Sequence, residues 1–428
     1  MRSQAEPWRA SFEPEGTQFH VLSFEGPDPY SMVGGLGTRV SGLTEALAAM
    51  GHQAHLWFVG DPDGSGHEVR DGLVLHRWCQ WISDHHRGGV YEGEHGKAVD
   101  YATSLAPFML HRVLLPHLLA GGQAVVIAEE WQTVNALLHL DWLLRRAGLR
   151  HRVSLSWNAN NIYGFEAIDW RRLERAAMIT TVSRYMNLMM RPFGVSPVVI
   201  PNGLGSDAFL PPEPEGVTRV RRNLAGRLAI TKMARFDPDK RWMESIELIA
   251  RLKQAGFRPI MVARGGSETH GAQVMSHAQR LGLRVARRTN GGGDIAGLLQ
   301  ASQGIEDVDV LELTSHVDPD CRRVLFRGSN VVLANSVHEP FGLVGLEAMA
   351  AGSIAVTGCT GEDYAVPGHN ALVLQTGDPE EFLKLYSPLH TDDRVRRALC
   401  KAGRATAKLY SWPSVIRTNL VPRLAVAE

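Results

Sequence analysis

The chain has 428 residues, which is too long for one ordinary domain, so we expect two or three domains. Hydrophobic residues make up 44% of the sequence and charged residues 21%, the balance of an ordinary globular protein. Because 45 Lys and Arg residues are matched by 45 Asp and Glu residues, the composition argues against a nucleic-acid-binding protein.

The N-terminus and the cysteines predict a cytoplasmic protein. Residues 1–18 lack the apolar core of a signal peptide and are predicted to form a loose extension. No window approaches the run of roughly 18 apolar residues that a membrane-spanning helix requires. The cysteines are scattered without C-x-x-C spacing, which predicts reduced thiols and neither a disulfide framework nor a zinc site. They are Cys79, Cys321, Cys359 and Cys400.

Strand and helix signals alternate along the chain, which is typical of α/β proteins with parallel sheets. The first strand is predicted at residues 20–24, followed by the glycine loop 34–37. Apolar residues at helical spacing then predict a helix that ends at Gly51. Further strands of the first half are predicted at residues 55–59, 124–128, 153–157, 179–183 and 197–200.

The segment Pro201-Asn202-Gly203-Leu204 is a strong turn signal, and we predict a hinge there. Strands of the second half are predicted at residues 228–233, 259–263 and 331–334. The last of these is followed by a polar loop and by a helix from about Leu343 to Ala351 that ends at Gly352.

Two glutamates, Glu339 and Glu347, lie eight positions apart across this loop and helix. Gly342 and Gly345 leave backbone amides open to a ligand, and the N-terminus of the helix directs partial positive charge to the same place. This pattern describes a site for an anion flanked by hydroxyl groups, such as a sugar nucleotide. Taken alone, the two glutamates could also be solvated residues of an ordinary strand–loop–helix unit.

Two other segments have the character of phosphate sites. Arg235 and Lys240 follow a predicted strand around a proline turn, and Arg can grip a phosphate with two hydrogen bonds while Lys acts as a point charge. Gly34 and Gly35 have no side chains to block a phosphate, and they precede a helix, so we expect free amides there. A charged surface loop is the alternative for Arg235 and Lys240.

The segment from Glu339 to Glu347 resembles the E-x7-E motif of retaining glycosyltransferases of the GT-B fold, the glycogen-synthase-like and family 4 enzymes known as glycosyl transferases group 1. The glycine loop and the Arg/Lys pair occur in the order that this family shows. The resemblance implies two Rossmann-like βαβ domains that face each other across a cleft. It assigns residues 19–203 to an acceptor domain, 204–408 to a donor domain and 409–428 to a segment that packs back on the first.

The resemblance also implies roles for individual residues. Arg235 and Lys240 would stabilise the diphosphate leaving group, together with amides of the glycine loop and of the loop–helix junction. Glu339 would orient the transferred sugar, and Glu347 would bind the ribose. The donor-binding set is thus Gly34, Gly35, Arg235, Lys240, Phe341, Gly342, Leu343 and Glu347. The sequence departs from the glycogen synthases at Met32, where those enzymes have a lysine, which argues against glycogen synthesis.

The acceptor side is predicted from polar residues that follow two strands of the first half. Trp157 or Asn158 takes the position at which many relatives have a histidine, and Asn160 follows with further groups for sugar hydroxyls. Glu129 and Glu130 could bind acceptor hydroxyls, or one of them could accept a proton. A structural asparagine turn and a solvated strand end remain the alternatives.

Three other interpretations carry less support. A nicotinamide site would need a glycine where Val40 stands, and Asp61 lies beyond the expected acidic position. The basic residues near Arg145 could touch anionic lipid, although a solvated helix face explains them more simply. No histidine or carboxylate grouping has metal-ligand spacing, and the resembled family requires no metal, so we expect no metal and no cofactor.

We therefore predict an enzyme that transfers a hexosyl group from a nucleoside-diphosphate sugar to a hydroxyl-bearing acceptor with anomeric retention. Two alternatives remain from other classes. One is an epimerase, hydrolase or phosphorylase on the same fold, and the other is an inactive protein that binds sugar nucleotides. The sequence leaves the donor base, the sugar, the acceptor and the oligomeric state open.

Overall fold

The computed structural model describes residues 16–424. The chain forms two compact units, of which the first extends to Gly203 and resumes at Trp412, and the second comprises Leu204–Ser411. Most of the predicted N-terminal extension lies outside the described residues, and the first strand already begins at Thr17. Among the described residues, no helix is both long enough and apolar enough to cross a membrane.

The first unit contains an eight-stranded sheet in the order β3-β4-β2-β1-β5-β6-β7-β8. All neighbouring strands in it run parallel except the pair β3 and β4. The strands are β1 (Thr17–Leu22), β2 (Gln53–Val59), β3 (His67–Arg70), β4 (Leu73–Trp78), β5 (Gln123–Glu129), β6 (Val153–Ala159), β7 (Met178–Thr181) and β8 (Val198–Val199). The helices are α1 (Gly35–Ala49), α2 (Gln80–Ser83), α3 (Glu94–Asp100), α4 (Ala106–Met109), α5 (Leu115–Leu119), α6 (Val134–Arg146), α7 (Trp170–Ala176) and α8 (Arg184–Met190).

The second unit contains a seven-stranded, fully parallel sheet in the order β11-β12-β10-β9-β13-β14-β15. Its strands are β9 (Leu228–Met233), β10 (Pro259–Arg264), β11 (Val285–Arg288), β12 (Val310–Leu313), β13 (Val331–Ala334), β14 (Ile354–Thr357) and β15 (Leu372–Val373). Its helices are α9 (Pro214–Asn223), α10 (Trp242–Gln254), α11 (His270–Arg280), α12 (Ile295–Ala301), α13 (Pro319–Gly328), α14 (Leu343–Ala351), α15 (Pro379–Thr391) and α16 (Asp393–Leu409).

The central strands of both sheets are buried on their two faces, which explains their short apolar runs. In the second unit, the two faces of the sheet contribute to separate clusters, one with Ile230 and Trp242 and the other with Ala229 and Leu311. The predicted α/β class with two parallel-sheet domains is therefore confirmed.

The C-terminal segment belongs to the first unit. Its short helix α17 (Trp412–Val415) begins at a tryptophan whose side chain is 2% exposed. Trp412 lies so close to Gly42 that a methyl group placed there would be 2.5 Å from the indole nitrogen. Glycine at position 42 of α1 is thus needed for the close approach of this segment to the first sheet layer.

The order of the strands locates the places where ligands can bind. In a doubly wound sheet, the connections turn in opposite directions from one point, and a crevice opens there at the carboxyl ends of the strands. In the first sheet this switch point lies between β1 and β5, and in the second between β9 and β13. Residues that follow these four strands are therefore the candidates for function.

Candidate functional site

Lys240 and Glu339 form an ion pair at the switch point of the second sheet. The Lys240 Nζ atom lies 2.6 Å from Glu339 Oε2, and both side chains are largely buried, at 18% and 19% exposure. Lys240 follows β9 and Glu339 follows β13, which are neighbouring strands. Two residues that lie 99 positions apart in the sequence are thus in direct contact at the edge where a ligand would bind.

The loop that carries Lys240 is held by local hydrogen bonds. The Asp237 side chain accepts a 2.9 Å hydrogen bond from the Asp239 amide and begins a single 3-10 turn, Pro238–Lys240. The Asp239 carbonyl then accepts a 2.8 Å hydrogen bond from the amide of Val337. Because Val337 lies in the loop after β13, this bond ties together the two loops that carry the ion pair.

Arg235 is not part of this ion pair. Its side chain is exposed, and no hydrogen bond or ion pair holds it within residues 16–424. Its carbonyl oxygen accepts a 2.8 Å hydrogen bond from the Trp242 indole, so the backbone at this position is fixed. The guanidinium group therefore remains available to a phosphate.

Glu347 lies in the second turn of α14, with its carboxyl group 3.3 Å from the Arg322 guanidinium. Its side chain is 15% exposed. Burial raises the pKa of Glu347, whereas the positive charge of Arg322 lowers it. This carboxyl group thus has one protein partner and some access to a ligand.

The predicted helix α14 begins at Leu343 and ends with Gly352 in the left-handed conformation, as expected. Phe341, which precedes it, is buried against Tyr364 and Tyr410, so only its backbone can serve a ligand. Gly345, whose amide we predicted to be open, is also a glycine for a packing reason. A methyl group there would lie 2.3 Å from the Tyr364 hydroxyl, so Gly345 makes room for that side chain.

Gly361 brings a third loop against the ion-paired glutamate. A methyl group on Gly361 would lie 2.0 Å from the backbone oxygen of Glu339 and 2.4 Å from that of Pro340. The nearby Thr360 hydroxyl accepts a 3.0 Å hydrogen bond from the Glu339 amide. The loop after β14 thus supports the backbone of Glu339 directly.

We expect Gly361→Ala to destabilise the second unit by about 1–3 kcal/mol, because backbone atoms cannot yield to the added methyl group. Thermal unfolding would measure this loss. Gly292→Ala is the matched control, since a methyl group there meets nothing within 4 Å. Equal melting temperatures for the two variants would contradict the close packing of these loops.

Lys232 is a buried cation that sequence analysis missed. It lies on β9 with 1% exposure, donates a 2.6 Å hydrogen bond to Asn335, and sits 5.3 Å from the centre of the Trp242 ring. Burial and, to a smaller extent, the positive charge of Lys240 lower the pKa of Lys232 to about 7. A lysine inside the apolar run LAITKM was the available signal, because charged residues rarely occupy a central strand.

The glycine loop of the first unit is occupied by a carboxylate of the chain itself. Glu25 Oε2 accepts hydrogen bonds from the amides of Val33, Gly34 and Gly37 at 3.3, 3.0 and 2.9 Å. Its other oxygen accepts a 2.7 Å hydrogen bond from Tyr91. The predicted free amide at Gly34 was therefore wrong.

Space for a ligand nevertheless exists on one side of this loop. Methyl groups placed at Gly34 or Gly35 would meet no atom within 4 Å. Gly37 is different, because a methyl group there would lie 2.6 Å from the Met32 sulfur. The surface beside Gly34 and Gly35 is thus open to a ligand. The anion that binds the amides at the start of α1 is the Glu25 carboxylate.

Glu129 is the centre of a buried polar network at the end of β5. Its carboxylate lies 3.0 Å from Arg39 and accepts hydrogen bonds from Asn158 and Asn160 at 2.9 and 2.8 Å. Asn158 also accepts a 2.9 Å hydrogen bond from Thr180. Glu129 is fully buried, so the alternative of a solvated strand end was wrong.

Glu130 is held in a backbone conformation that is unusual for any residue with a side chain. Its φ and ψ are 66° and 168°, a region occupied almost only by glycine. Its side chain is 3% exposed and accepts a 2.7 Å hydrogen bond from the Asn160 amide. Burial raises the pKa of Glu130 to about 8. Strain and a buried acid together mark this position as a candidate for function.

Trp157 is a core residue and does not present its side chain to an acceptor. It is fully buried, and its indole donates a 2.9 Å hydrogen bond to the Glu130 carbonyl. Its ring packs against Trp170 at 5.5 Å. Of the predicted acceptor residues, only Asn160 is partly exposed.

The basic residues at the end of α6 and just after it have a structural explanation. Arg145 and Arg150 both pair with Asp141, at 2.8 and 2.6 Å. Arg150 is buried and donates a further hydrogen bond to the carbonyl of Ala176. In the described part of the chain, no group of three or more His, Cys, Asp or Glu residues is arranged to hold a metal ion.

By its fold, the chain belongs to the class of α/β proteins that are built like the GT-B glycosyltransferases. Sucrose-phosphate synthase from Thermosynechococcus elongatus superposes with a TM-score of 0.65 at 19% identity, over 95% of this chain and 98% of that chain. The catalytic domain of starch synthase IV from Arabidopsis thaliana, bound to ADP and acarbose, gives 0.63 at 16% identity over 95% and 99%. An E. coli structure bound with UDP-2-fluoro glucose gives 0.61 at 14% identity over 96% and 100%. At these identities the likeness shows the fold.

Part of the chain also matches the family that its sequence resembles. Residues 271–392 match the model of glycosyl transferases group 1, a range that includes Glu339 and Glu347. A D-inositol 3-phosphate glycosyltransferase from Corynebacterium urealyticum is 32% identical over 95 residues. That alignment spans 22% of this chain and 22% of the relative.

Proposed function

We propose that the protein transfers a hexosyl group from a nucleoside-diphosphate sugar to a hydroxyl-bearing acceptor. The observation that carries this proposal is the ion pair of Lys240 and Glu339 at the switch point of the second sheet. A fixed cation beside a carboxylate suits a substrate that has a diphosphate next to a ring of hydroxyl groups. The nucleotides present in two of the similar structures support the same type of donor.

The donor diphosphate is the group that needs positive charge. When the bond between sugar and phosphate breaks, negative charge grows on the phosphate oxygens, and a preorganised cation lowers the barrier most in a site shielded from water. Lys240 is preorganised by its bond to Glu339, and Arg235 has a fixed backbone and an unengaged guanidinium. Amides at the start of α14, from Phe341 to Leu343, would add partial positive charge.

Glu339 and Glu347 would then bind the hydroxyl-bearing parts of the donor. An ionised carboxylate accepts hydrogen bonds from hydroxyl groups with both oxygens. Glu339 Oε2 is engaged by Lys240, which leaves the other oxygen for the sugar. We assign Glu347, which faces Arg322 and is slightly exposed, to the ribose.

We further propose retention of the anomeric configuration through a front-face reaction. The bond from the anomeric carbon to the leaving phosphate oxygen breaks while the bond to the acceptor oxygen forms on the same face. The acceptor proton moves to an oxygen of the departing nucleoside diphosphate, so no protein nucleophile and no metal ion is required. Asn160, Glu129 and Glu130 are the proposed acceptor side and would bind hydroxyl groups of the acceptor.

We also propose that the reaction takes place in the cytoplasm. All four cysteines are free thiols, as is usual in a reducing compartment. Two of them, Cys79 and Cys321, are buried, and burial raises the pKa of both thiols, which makes them unreactive.

A donor screen tests the proposed function. UDP-, GDP- and ADP-sugars at a hundred times their dissociation constant should stabilise the protein by about 2.7 kcal/mol, which thermal unfolding detects. The donor found in this way is then incubated with and without hydroxyl-bearing acceptors, and NMR follows the anomeric configuration of the product. Release of free sugar or epimer without an acceptor would point to the hydrolase or epimerase instead. Donor binding without any turnover would indicate a binding protein.

A further inference from the structure

Glu362 is a buried carboxyl group beside the proposed donor site, and no sequence pattern pointed to it. It lies in the loop after β14, one residue beyond Gly361, and is 5% exposed. Neither of its carboxyl oxygens has a hydrogen-bond partner among the described residues. The amides of Thr360 and of Glu362 itself lie near the carboxyl group, but without the geometry of a hydrogen bond.

The position of Glu362 is defined by Gly342, the residue that precedes α14. A methyl group placed on Gly342 would lie 3.1 Å from Glu362 Oε1 and 3.4 Å from Glu339 Cγ. Both glutamates therefore lie next to Gly342, on the side where any other residue would carry its side chain. This point is also the N-terminus of α14, where we place the diphosphate and the adjoining sugar.

The surroundings of Glu362 favour the neutral acid. Burial and, to a smaller extent, the negative charge of Glu339 raise its pKa to about 8, against the opposing effect of Lys240. A protonated carboxyl group donates one hydrogen bond and accepts others, and it does not repel a nearby phosphate. Burying such a group without a partner costs free energy, and a ligand hydroxyl can supply the missing bonds.

We propose that Glu362 is a specificity-determining residue, whose carboxyl group binds a hydroxyl of the transferred sugar next to Glu339. This inference rests on the proposed function, because it takes the donor to be a sugar nucleotide. Glu339 and Glu362 would hold neighbouring parts of one sugar ring, one as an ion-paired carboxylate and the other as an acid. A sugar without the matching hydroxyl would leave the buried acid unpaired, and such sites discriminate strongly.

The test compares the sugar nucleotide with its bare nucleoside diphosphate. Glu362→Ala should weaken binding of the intact donor by roughly 10- to 100-fold, as expected when a buried hydrogen bond to the ligand is lost. It should leave the affinity for the nucleoside diphosphate alone unchanged, because that ligand lacks the sugar. Glu362→Gln, which keeps a donor and an acceptor, should recover most of the loss. Glu306→Ala, at an exposed position of the same unit, is the matched control.

Deoxy analogues of the donor then identify the hydroxyl. One analogue should bind equally to the wild type and to Glu362→Ala, since both complexes lack the same bond. If Glu362→Ala weakened the binding of the donor and of the bare diphosphate equally, the inference would be overturned. Unchanged binding of the donor to this variant would overturn it as well. A wild type that binds the sugar nucleotide but transfers nothing would overturn only the proposed transferase function. A wild type that binds no sugar nucleotide would overturn both.

Discussion

Lys240→Ala is expected to lower kcat for sugar transfer by about 10²–10³-fold, the usual effect of removing one preorganised group that stabilises transition-state charge. The loss should be in kcat more than in KM, because the charge on the diphosphate grows as the bond breaks. Steady-state kinetics with the donor from the screen measures both. Lys401→Ala, at an exposed site of the same unit, is the control for the loss of a lysine.

The ion pair also predicts that substitutions of Lys240 and Glu339 affect each other. Lys240 and Glu339 are in contact, so their substitutions should not be additive. Glu339→Gln should cost a large factor in the wild type and a smaller one in the Lys240→Ala background. Independent effects of the two substitutions would mean that the pair does not act as a unit. Turnover at the wild-type rate in Lys240→Ala would remove this lysine from the mechanism.

The strands and the helix that carry the candidate site of the second unit could be predicted, because the sequence patterns that determine them are local. The apolar runs at β9 and β13 and the helix α14 were placed at the observed boundaries. A parallel sheet puts the residues after its strands at one edge, so the common location of Lys240 and Glu339 followed from topology and the resemblance together, whereas their direct contact was not predicted. Where a segment's neighbours in sequence decide its structure, the prediction was right.

What the sequence could not supply was the environment of single side chains. Nothing local shows that Glu25 binds the amides of the glycine loop, or that Glu362 is buried without a partner. These facts depend on chain segments far apart in sequence, since Glu25 is held by Tyr91 and Glu362 lies beside Gly342. The prediction that Trp157 faces the acceptor was wrong for the same reason. Its place in the strand was right, but its side chain packs in an aromatic cluster. The short strands β3 and β4 were missed because charged and histidine residues interrupt their apolar pattern.

We expect the first unit to lose stability in mild acid, because buried histidines lie on three of its neighbouring strands. His20, His55 and His76 lie side by side on β1, β2 and β4, with His55 Nδ1 3.0 Å from His76 Nε2. The exposed His67 continues this row, with its Nδ1 2.8 Å from His76 Nδ1. His76 also stacks on Trp57 with ring centres 3.6 Å apart.

This row of imidazoles resists protonation in the folded protein. Burial is the main cause and neighbouring histidines add to it, so the pKa of His76 falls to about 2 and that of His55 to about 4. Burial also lowers the pKa of His20 well below its usual value. The unfolded chain binds these protons near pH 6.5, so the stability is complete above that pH and is lost as the pH falls below it.

At pH 5 the loss should be about 2 kcal/mol for each of His55 and His76, since one pKa unit corresponds to about 1.4 kcal/mol. Together this is a large part of a typical unfolding free energy of about 5–15 kcal/mol. We therefore expect hydrogen exchange in β2 and β4 to rise steeply between pH 7 and pH 5, well before the strands of the second unit respond.

His76→Gln should flatten this pH dependence, because glutamine keeps hydrogen-bonding groups but has no charge to acquire. Its stability relative to the wild type should therefore improve by about 2 kcal/mol between pH 7.5 and pH 5, even if it starts lower at pH 7.5 through the lost stacking on Trp57. His95→Gln, at an exposed position of the same unit, should leave the curve unchanged. If the wild type and His76→Gln lost stability in parallel as the pH fell, other groups would have to account for the acid sensitivity.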